Sequence, residues 1–314
     1  MLTTDQDDVI SDTIADAIGD RGRVVRPAER TVDAMREVLP MADVVIGDWS
    51  GTFPLGHDDV VFADRLKLIQ QPGVGVNFID LPAWAEAGVP VCNTPGGNTD
   101  SVAEWAVTAA SYLNRSVGWA DAEVRAGRWP QESILHRGCR ELSECRIGIV
   151  GFGGVGSRAA ALFSAYGCEV GYTSRTAVPD SGYAHRTLPE LVRQSDVLVV
   201  AVPLTAETRH LIGREHLAAM PAGAILVNVA RGAVVDEEAL IDVLSAGTIG
   251  GAALDVVATE PLPPESPLRT FDNVLLSPHV AGGTSTALHR ISAMVADNTV
   301  RVLDGRRPRW ILNP

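Results

Sequence analysis

A glycine-rich hexapeptide between a predicted strand and a predicted helix constrains the fold of this chain most strongly. It follows the apolar run 147–150 and directly precedes the helix-forming segment 157–163. In a G-x-G-x-x-G turn, the first glycine permits a tight turn, the second lets backbone N–H groups approach a pyrophosphate, and the third lets the helix pack closely on the strand. The pattern predicts a dinucleotide site formed by Gly151, Phe152, Gly153, Gly154, Val155 and Gly156, with a merely structural turn as the alternative.

Short apolar runs alternate with longer segments of helical periodicity along all 314 residues. This alternation predicts an α/β fold: a Rossmann-type doubly wound parallel sheet with a second, smaller domain. Predicted strands cover residues 24–25, 44–46, 66–69 and 89–92, and then 147–150, 169–173, 197–200, 225–229, 252–256 and 274–276. The second series would make a complete six-stranded nucleotide-binding sheet.

The ends of the first domain are predicted from turn and capping signals. Turn residues at 93–97 mark a boundary, and a capping-box pattern from Ser101 to Glu104 predicts that a helix begins there. A last helix is predicted over 284–303. The first four residues are followed by an acidic run, so the first strand is expected to be trimmed.

Composition limits the partners that the chain can have. Because 39 acidic residues outnumber 26 basic ones, the net charge of −13 would repel a nucleic acid. No stretch approaches the about 18 uninterrupted apolar residues of a membrane span, and no basic, apolar leader follows Met1, so a cytoplasmic location is expected. The four cysteines form no C-x-x-C pair and have no metal-ligand spacing with the seven histidines, which predicts free thiols and no metal site.

The residues after the second strand of the nucleotide-binding sheet bear on the choice of dinucleotide. An NAD-specific fold places a carboxylate there for the ribose 2′-OH, but residues 173–178 contain no acidic side chain. A guanidinium can instead pair with a 2′-phosphate. NADP(H) is therefore favoured, bound by Ser174, Arg175 and Thr176. In the NAD(H) alternative, Arg175 is a solvated loop residue and Glu169 or Asp180 binds the ribose.

Three later strand ends carry polar residues that an ordinary core does not need. They are Arg231, Glu260 and His279, and each follows a predicted strand of the second series. Ligands of doubly wound sheets bind beyond the carboxyl ends of the strands, so these side chains are expected to converge. An arginine can hold a carboxylate and polarise a carbonyl, a histidine can protonate a developing alkoxide, and a glutamate can fix the tautomer of that histidine and favour its protonated form. Taken singly, each has an ordinary structural explanation.

Several motifs in order resemble the D-isomer-specific 2-hydroxyacid dehydrogenases, over about residues 42–303. They are the turn at 151–156, Val202-Pro203-Leu204-Thr205 with Thr208, and the segments 228–232, 255–261 and 277–283. The resemblance implies that Arg231 binds the substrate carboxylate and carbonyl, that His279 is the acid or base, and that Glu260 supports it. It also implies that Asp255 contacts the nicotinamide amide, and that the cofactor is lined by Val202, Pro203, Thr208, Val229, Ala230, Arg231, His279, Ala281 and Gly282.

The family architecture implies a discontinuous substrate domain. Residues 1–97 and 284–314 would form this flavodoxin-like domain, and residues 98–283 the dinucleotide-binding domain, with substrate in the cleft. Gly73, Val74 and Gly75 match the loop whose N–H groups hold the substrate carboxylate, and Trp49 or Phe53 could shape the side-chain pocket. The family's dimerisation arm matches residues 106–129, which predicts a homodimer with Trp119 and Trp129 as candidate anchors.

The leading hypothesis is an NADPH-dependent reductase of small 2-oxo acids, similar to glyoxylate/hydroxypyruvate reductases. The alternatives are an NAD(H)-linked D-2-hydroxyacid dehydrogenase and a non-catalytic, dinucleotide-sensing corepressor-like protein, which the intact Arg231, Glu260 and His279 set disfavours. Phosphite dehydrogenases carry lysine where this chain has Val74, and formate dehydrogenases carry glutamine where it has Glu260, so both activities are disfavoured. The β-hydroxyacid dehydrogenases need a catalytic lysine, and the one lysine here, Lys67, precedes the nucleotide-binding part, which disfavours that family as well.

Overall fold

A computed structural model describes residues 2–3, 8–49 and 53–314. The chain divides into two compact units: unit 1 comprises residues 1–98 and 283–314, and unit 2 comprises residues 99–282. Each boundary lies one residue from the predicted domain limits.

The strands form two sheets, and every strand pair is parallel. The strands are β1 Leu2–Thr3, β2 Val44–Ile46, β3 Leu68–Gln70, β4 Val91–Cys92, β5 Arg146–Val150, β6 Glu169–Thr173, β7 Ala184–His185, β8 Val197–Val200, β9 Ile225–Asn228, β10 Gly251–Leu254 and β11 Val274–Leu276. Unit 1 holds the order β1-β2-β3-β4, and unit 2 holds β11-β10-β9-β8-β5-β6-β7. The second order reverses direction between β5 and β8, which is the switch point of a doubly wound sheet, and confirms the Rossmann-type α/β prediction.

Ten α-helices lie in the described residues, in addition to short 3₁₀ turns. They are α1 Asp8–Ile18, α2 Val32–Val38, α3 Leu81–Glu86, α4 Thr99–Asn114, α5 Val117–Arg125, α6 Gly154–Ala165, α7 Leu188–Gln194, α8 Arg214–Ala218, α9 Glu237–Ser245 and α10 Ser285–Leu303. The last helix begins as predicted, because the Thr284 side chain accepts a hydrogen bond from the Ala287 N–H and so caps it.

The core of unit 2 has two layers, one on each face of its sheet. Strands β8, β9 and β10 are buried along their whole length, as strands covered by helices on both faces should be. The register pairs Val150 with Thr173 and with Val200, so β5, β6 and β8 end at one level. Leu254 pairs with Asn228 and Leu276 in the same way. The loops that follow these strands therefore leave the sheet along one edge.

Unit 1 is a four-stranded sheet between two apolar layers. One layer contains Trp84, whose side chain is fully buried and whose Nε1–H donates to the Leu55 carbonyl at 3.0 Å. The other is formed mainly by α1 and α10, with Ile10, Ile14 and Ile291 in contact with the sheet residues. Burial of these large side chains supplies the main stabilisation of this unit.

The structure corrects three secondary-structure predictions. Residues 24–25 form no strand in the described parts of either sheet: Val25 makes a single β-bridge, and Pro27, two residues on, cannot donate to a ladder. The first strand, expected to be trimmed, is the two-residue β1. Helix α4 begins at Thr99, two residues before the predicted cap, and Ser101 is buried within its first turn. Strand β7 was missed because both of its residues are exposed and give no apolar signal.

Candidate active site

The glycine turn lies where β5 ends and α6 begins. Gly151 has φ +94°, and a Cβ there would lie 2.6 Å from the Ala201 carbonyl oxygen, so only glycine fits. A Cβ on Gly156 would overlap the Gly151 carbonyl, and Gly156 is buried against β5. Gly153 and Gly154 are exposed, and nothing would meet a Cβ at Gly153. The turn thus leaves an open surface in front of the N-terminal N–H groups of α6, which favour an anion.

The two non-glycine residues of the turn have different surroundings. The Phe152 ring stacks on Tyr172 at 3.9 Å between centroids, and contacts Tyr183 edge-on at 5.8 Å. Val155 is half-buried in the first turn of α6. Phe152 therefore also packs against β6, a role that the motif alone does not indicate.

The loop after β6 carries the predicted ribose residues. The Ser174 hydroxyl donates to the Thr176 carbonyl at 2.7 Å, and the Ser174 carbonyl lies 3.1 Å from His185 Nε2 in β7. Arg175 is exposed, and its guanidinium makes no hydrogen bond or salt bridge with the parts of the chain that the structure describes. The pKa of the Glu207 carboxyl lies below its ordinary value, mainly because the Thr205 hydroxyl donates a hydrogen bond to it. The charge of Arg175 contributes to this lowering.

The loop after β8 is fixed by one of its own side chains. The Thr208 hydroxyl donates to the Pro203 carbonyl at 2.6 Å and accepts from the Thr205 N–H at 2.7 Å. Val202 lies beside Gly151 and is half-buried. Of the predicted cofactor residues of this loop, Val202 therefore borders the glycine turn.

Arg231 stands directly after a turn organised by a buried asparagine. Asn228 Nδ2 donates to the Arg231 carbonyl at 3.1 Å, and Asn228 Oδ1 accepts from the Ala230 N–H at 3.1 Å. Val229 donates its N–H to the Val200 carbonyl at 3.2 Å, which extends the sheet by one pair. Burial lowers the pKa of the Arg231 guanidinium, against the opposing effect of Glu260 and Asp255. A desolvated cation of this kind binds an anionic substrate strongly.

Close packing joins the Arg231 loop to the segment that bears Glu260. Gly232 is buried, and a Cβ there would overlap the backbone of Val257 and Ala258. The Ala258 N–H also donates to Glu237 Oε2 at 2.8 Å, a contact with α9 that no sequence motif signals. Both contacts hold the chain that leads to Glu260.

Glu260 and His279 form a hydrogen-bonded pair. Glu260 Oε2 lies 2.9 Å from His279 Nδ1, and both side chains are more than one third exposed. Burial would raise the pKa of the Glu260 carboxyl, but the His279 hydrogen bond and charge, the Val257 N–H and Arg231 outweigh it and hold that pKa below the ordinary range. The carboxylate fixes which ring nitrogen of His279 bears a proton and leaves Nε2 to act on a substrate.

Asp255 organises the loop that presents His279. Its buried carboxylate accepts from Ser277 Oγ at 2.6 Å, from the Val280 N–H at 2.8 Å and from the Ala281 N–H at 2.9 Å. Its backbone carbonyl accepts the His279 N–H at 2.8 Å. His279 has φ +57°, a left-handed conformation that costs about 1–2 kcal/mol in a non-glycine residue. These bonds hold it there, and Gly282, two residues beyond Val280, is half-buried.

The predicted substrate-loop residues lie in unit 1. Gly73 and Gly75 are half-buried and Val74 is 46% exposed in the loop after β3. Trp49 is half-buried against the α1 and α10 layer, Phe53 is buried in the opposite layer, and residues 50–52 between them lie outside the described residues. The loop contacts the side chains of Asn93 and Thr94, which the sequence did not single out.

The arrangement fits a dinucleotide. The open, glycine-lined helix N-terminus suits a pyrophosphate, and the polar strand-end residues suit the ribose and the reacting ring. Within the described residues, no group of three or more His, Cys, Asp or Glu side chains could hold a metal ion, and no helix is both long and apolar enough to cross a membrane.

Comparisons with known proteins agree with this geometry. Residues 107–281 match the family model "D-isomer specific 2-hydroxyacid dehydrogenase, NAD binding domain". A glyoxylate reductase of Thermofilum pendens is 40% identical over 80% of this chain and 76% of its own length. A glyoxylate/hydroxypyruvate reductase A of Arabidopsis thaliana is 37% identical over 82% of each chain. The crystal structure of a glyoxylate reductase from Paecilomyes thermophila matches with a TM-score of 0.91 at 26% identity, over 99% of this chain and 97% of that one.

The matches confirm the family resemblance and the prediction of an enzyme, and they do not support the corepressor-like alternative. The chain belongs to the D-isomer-specific 2-hydroxyacid dehydrogenases, oxidoreductases that use a nicotinamide cofactor to interconvert 2-oxo acids and 2-hydroxy acids.

Proposed function

We propose that this protein is an NADPH-dependent reductase of small 2-oxo acids that forms D-2-hydroxy acids, with glyoxylate and hydroxypyruvate as its first candidate substrates. The observation that carries the proposal is the 2.9 Å pair of Glu260 and His279 on strand-end loops next to a desolvated Arg231. The names of the relatives from Thermofilum pendens and Arabidopsis thaliana support the choice of substrates.

In the proposed mechanism, the three polar residues divide the work. When bound, the nicotinamide would supply a hydride to the carbonyl carbon. Arg231 binds the substrate anion and polarises its carbonyl oxygen, which stabilises the charge that develops there. His279 donates a proton to that oxygen, and Glu260 holds the ring in orientation. Reduction therefore consumes the His279 proton, which solvent then replaces.

We assign the cofactor to the glycine turn and the neighbouring strand ends. The pyrophosphate would lie at residues 151–156, and the remaining parts at Val202, Pro203, Thr208, Val229, Ala230, Asp255, Ala281 and Gly282. Arg175 supports the preference for NADP(H), since it is an exposed cation beside Ser174 and Thr176 with no acidic residue between positions 173 and 178. A 2′-phosphate would give this guanidinium an ion pair, whereas a 2′-OH would not.

We assign the substrate carboxylate to the backbone N–H groups of Gly73, Val74 and Gly75, and part of the side-chain pocket to Trp49. Val74 and the two glycines present backbone rather than charged side chains, which suits a small carboxylate.

The test is an absorbance assay of NADPH and NADH oxidation with glyoxylate, hydroxypyruvate, pyruvate and phenylpyruvate. We expect turnover of the two smallest substrates, with kcat/KM at least tenfold higher for NADPH. Arg175→Ala should remove most of that preference by raising the KM for NADPH, with little effect on the KM for NADH. Arg193→Ala, a change of an exposed arginine in α7, is the control. An equal or greater rate with NADH in the unchanged protein would refute the cofactor assignment, and no turnover of any 2-oxo acid would refute the substrate assignment.

The catalytic assignment has its own test. His279→Ala should lower kcat by about 10²–10⁴-fold, the usual contribution of a general acid. The fluorescence-measured Kd for NADPH should change by less than about threefold. Unchanged turnover would remove His279 from the mechanism.

We also propose that the enzyme is a cytoplasmic homodimer. All four cysteines are free thiols, which suits a reducing compartment. Trp129 is 77% exposed and Leu135 is 79% exposed, close to the predicted arm, and a partner subunit would cover such large apolar side chains. Sedimentation equilibrium tests the assembly: a monomer at micromolar concentration would refute the dimer.

A further inference from the structure

Two buried polar side chains lie behind the Gly73–Gly75 loop of unit 1. Asn93 is 6% exposed and Thr94 is fully buried, directly after β4. Asn93 Nδ2 donates to the Val74 carbonyl at 2.8 Å, and the Thr94 hydroxyl donates to the Pro72 carbonyl. A buried polar group is costly unless it is paired, so both side chains are committed to these two carbonyls.

The two bonds fix the direction of two peptide groups. The peptide bonds 72–73 and 74–75 are trans, so each N–H points opposite to the carbonyl of the same peptide plane. Because the Pro72 and Val74 carbonyls face residues 93 and 94, the N–H groups of Gly73 and Gly75 face the other way. In the parts of the chain that the structure describes, the N–H groups of residues 73–75 donate to no acceptor.

From this geometry we propose that Asn93 and Thr94 are positioning residues for recognition of the substrate carboxylate. They turn two carbonyl dipoles away from the anion and direct two backbone N–H groups toward it, as in other backbone anion sites. The proposal rests on the proposed function, since it needs the 2-oxo acid carboxylate at this loop.

The same bonds matter to affinity for a second reason. Without the hydroxyl of Thr94, the 72–73 peptide can rotate and present its carbonyl oxygen where the carboxylate binds. A free loop also has to be ordered when substrate binds, which weakens binding. Loss of either side-chain donor should therefore weaken substrate binding and leave cofactor affinity much less affected.

The experiment compares Thr94→Val, which keeps the shape and removes the hydroxyl, with Thr94→Ser, which keeps the hydroxyl. For Thr94→Val we expect the KM for glyoxylate and the Ki for oxamate to rise about tenfold to a hundredfold, the loss of a hydrogen bond to a charged group. Thr94→Ser should stay within about threefold of the unchanged enzyme. The Kd for NADPH should stay the same in both variants.

Asn313→Ala is the matched control. Asn313 Oδ1 accepts from the Val91 N–H at 2.6 Å, and its Nδ2 donates to the Val89 carbonyl at 2.9 Å, so this side chain holds the other end of β4. The variant should lower Tm without raising the KM for glyoxylate. Asn93→Asp, which replaces the donor by an acceptor facing the Val74 carbonyl, provides a second test if Thr94→Val does not fold.

The outcomes separate this proposal from the proposed function. An active unchanged enzyme whose Thr94→Val or Asn93→Asp variant keeps the original KM and Ki would overturn the positioning role alone. A rise in KM that Thr94→Ser shares, or that Asn313→Ala reproduces, would assign the effect to general destabilisation and also overturn it. An unchanged enzyme that reduces no 2-oxo acid and does not bind oxamate would overturn both.

Discussion

Replacement of Asp255 by asparagine tests how the His279 loop is held. The carboxylate is 3% exposed and accepts three hydrogen bonds, two at Oδ1 and one at Oδ2. An amide oxygen could still accept from Ser277 and Val280, as neutral bonds. The amide nitrogen would then face the Ala281 N–H, so a buried donor would lose its acceptor.

The expected cost follows from these three bonds. In the variant, two charge-assisted bonds become neutral ones and one buried N–H loses its acceptor. Together these changes destabilise the folded protein by about 3–5 kcal/mol. For a unit of this size, each kcal/mol lowers Tm by about 2–4 °C, so a fall of about 6–20 °C is expected. The bonds that are weakened or lost stabilise the loop by more than the roughly 1–2 kcal/mol of strain at the positive φ of His279. Without them, His279 is expected to leave this left-handed conformation.

Differential scanning calorimetry and steady-state kinetics measure the two consequences. Asp255→Asn should lower Tm by the amount given above and lower kcat by about 10²-fold or more, because a displacement of about 1 Å at a catalytic group has effects of that size. Ser277→Ala removes one of the three bonds and should cost about 1–2 kcal/mol.

Asp236→Asn is the control for the loss of a charge. Asp236 caps α9 by accepting from the Ala239 N–H at 3.0 Å, and asparagine caps helices as well as aspartate does. Its Tm should stay within about 2 °C of the unchanged protein. A similarly small change in Asp255→Asn would show that the three bonds do not hold the loop, and the reasoning would fail.

Three further changes give separate checks. Since the pKa of Glu260 is lowered on folding, its carboxylate stabilises the folded protein fully above the ordinary glutamate pKa of about 4.3, and this stabilisation is lost as pH falls through the lowered value. The Tm difference between the unchanged protein and Glu260→Gln, measured from pH 3 to 7, should therefore shrink toward acid pH. A constant difference would contradict this. Arg231→Lys keeps the charge but removes the planar, two-pronged donor, so kcat/KM should fall about 10- to 100-fold in the absorbance assay, whereas near-normal kinetics would show that charge alone suffices. In Gly156→Ala the new Cβ overlaps the Gly151 carbonyl, and overpacking of this kind costs about 1–3 kcal/mol. The Kd for NADPH, measured by fluorescence, should therefore rise more than tenfold, and an unaltered Kd would place the cofactor elsewhere.

The sequence predicted the central part of the nucleotide-binding sheet well. Strands β6, β8 and β11 begin and end at the predicted residues, and β5, β9 and β10 differ by one or two residues at their ends. Buried strands of a parallel sheet are continuous β-branched runs between turn residues, which makes them recognisable without tertiary information. The two-residue strand β7 was missed, since pairing with a neighbour rather than composition defines it.

The chemistry of the site was also largely determined by residue type and order. Glycines at 151 and 156 are required by the steric limits of this strand-turn-helix unit, and Arg231, Glu260 and His279 each follow a strand whose end lies on the same edge. Local spacing encodes these features, because parallel strands always present their carboxyl ends together.

Tertiary structure alone decided how those groups are held. Nothing in the sequence pairs Asp255 with the Val280 and Ala281 N–H groups, or Asn93 and Thr94 with the carbonyls of the 72–75 loop. These bonds join segments about 20 or more residues apart, and whether a polar side chain satisfies a distant backbone group depends on burial and direction, which no local pattern records. The sequence determined which groups the site contains, and the packing of distant segments determined their orientation.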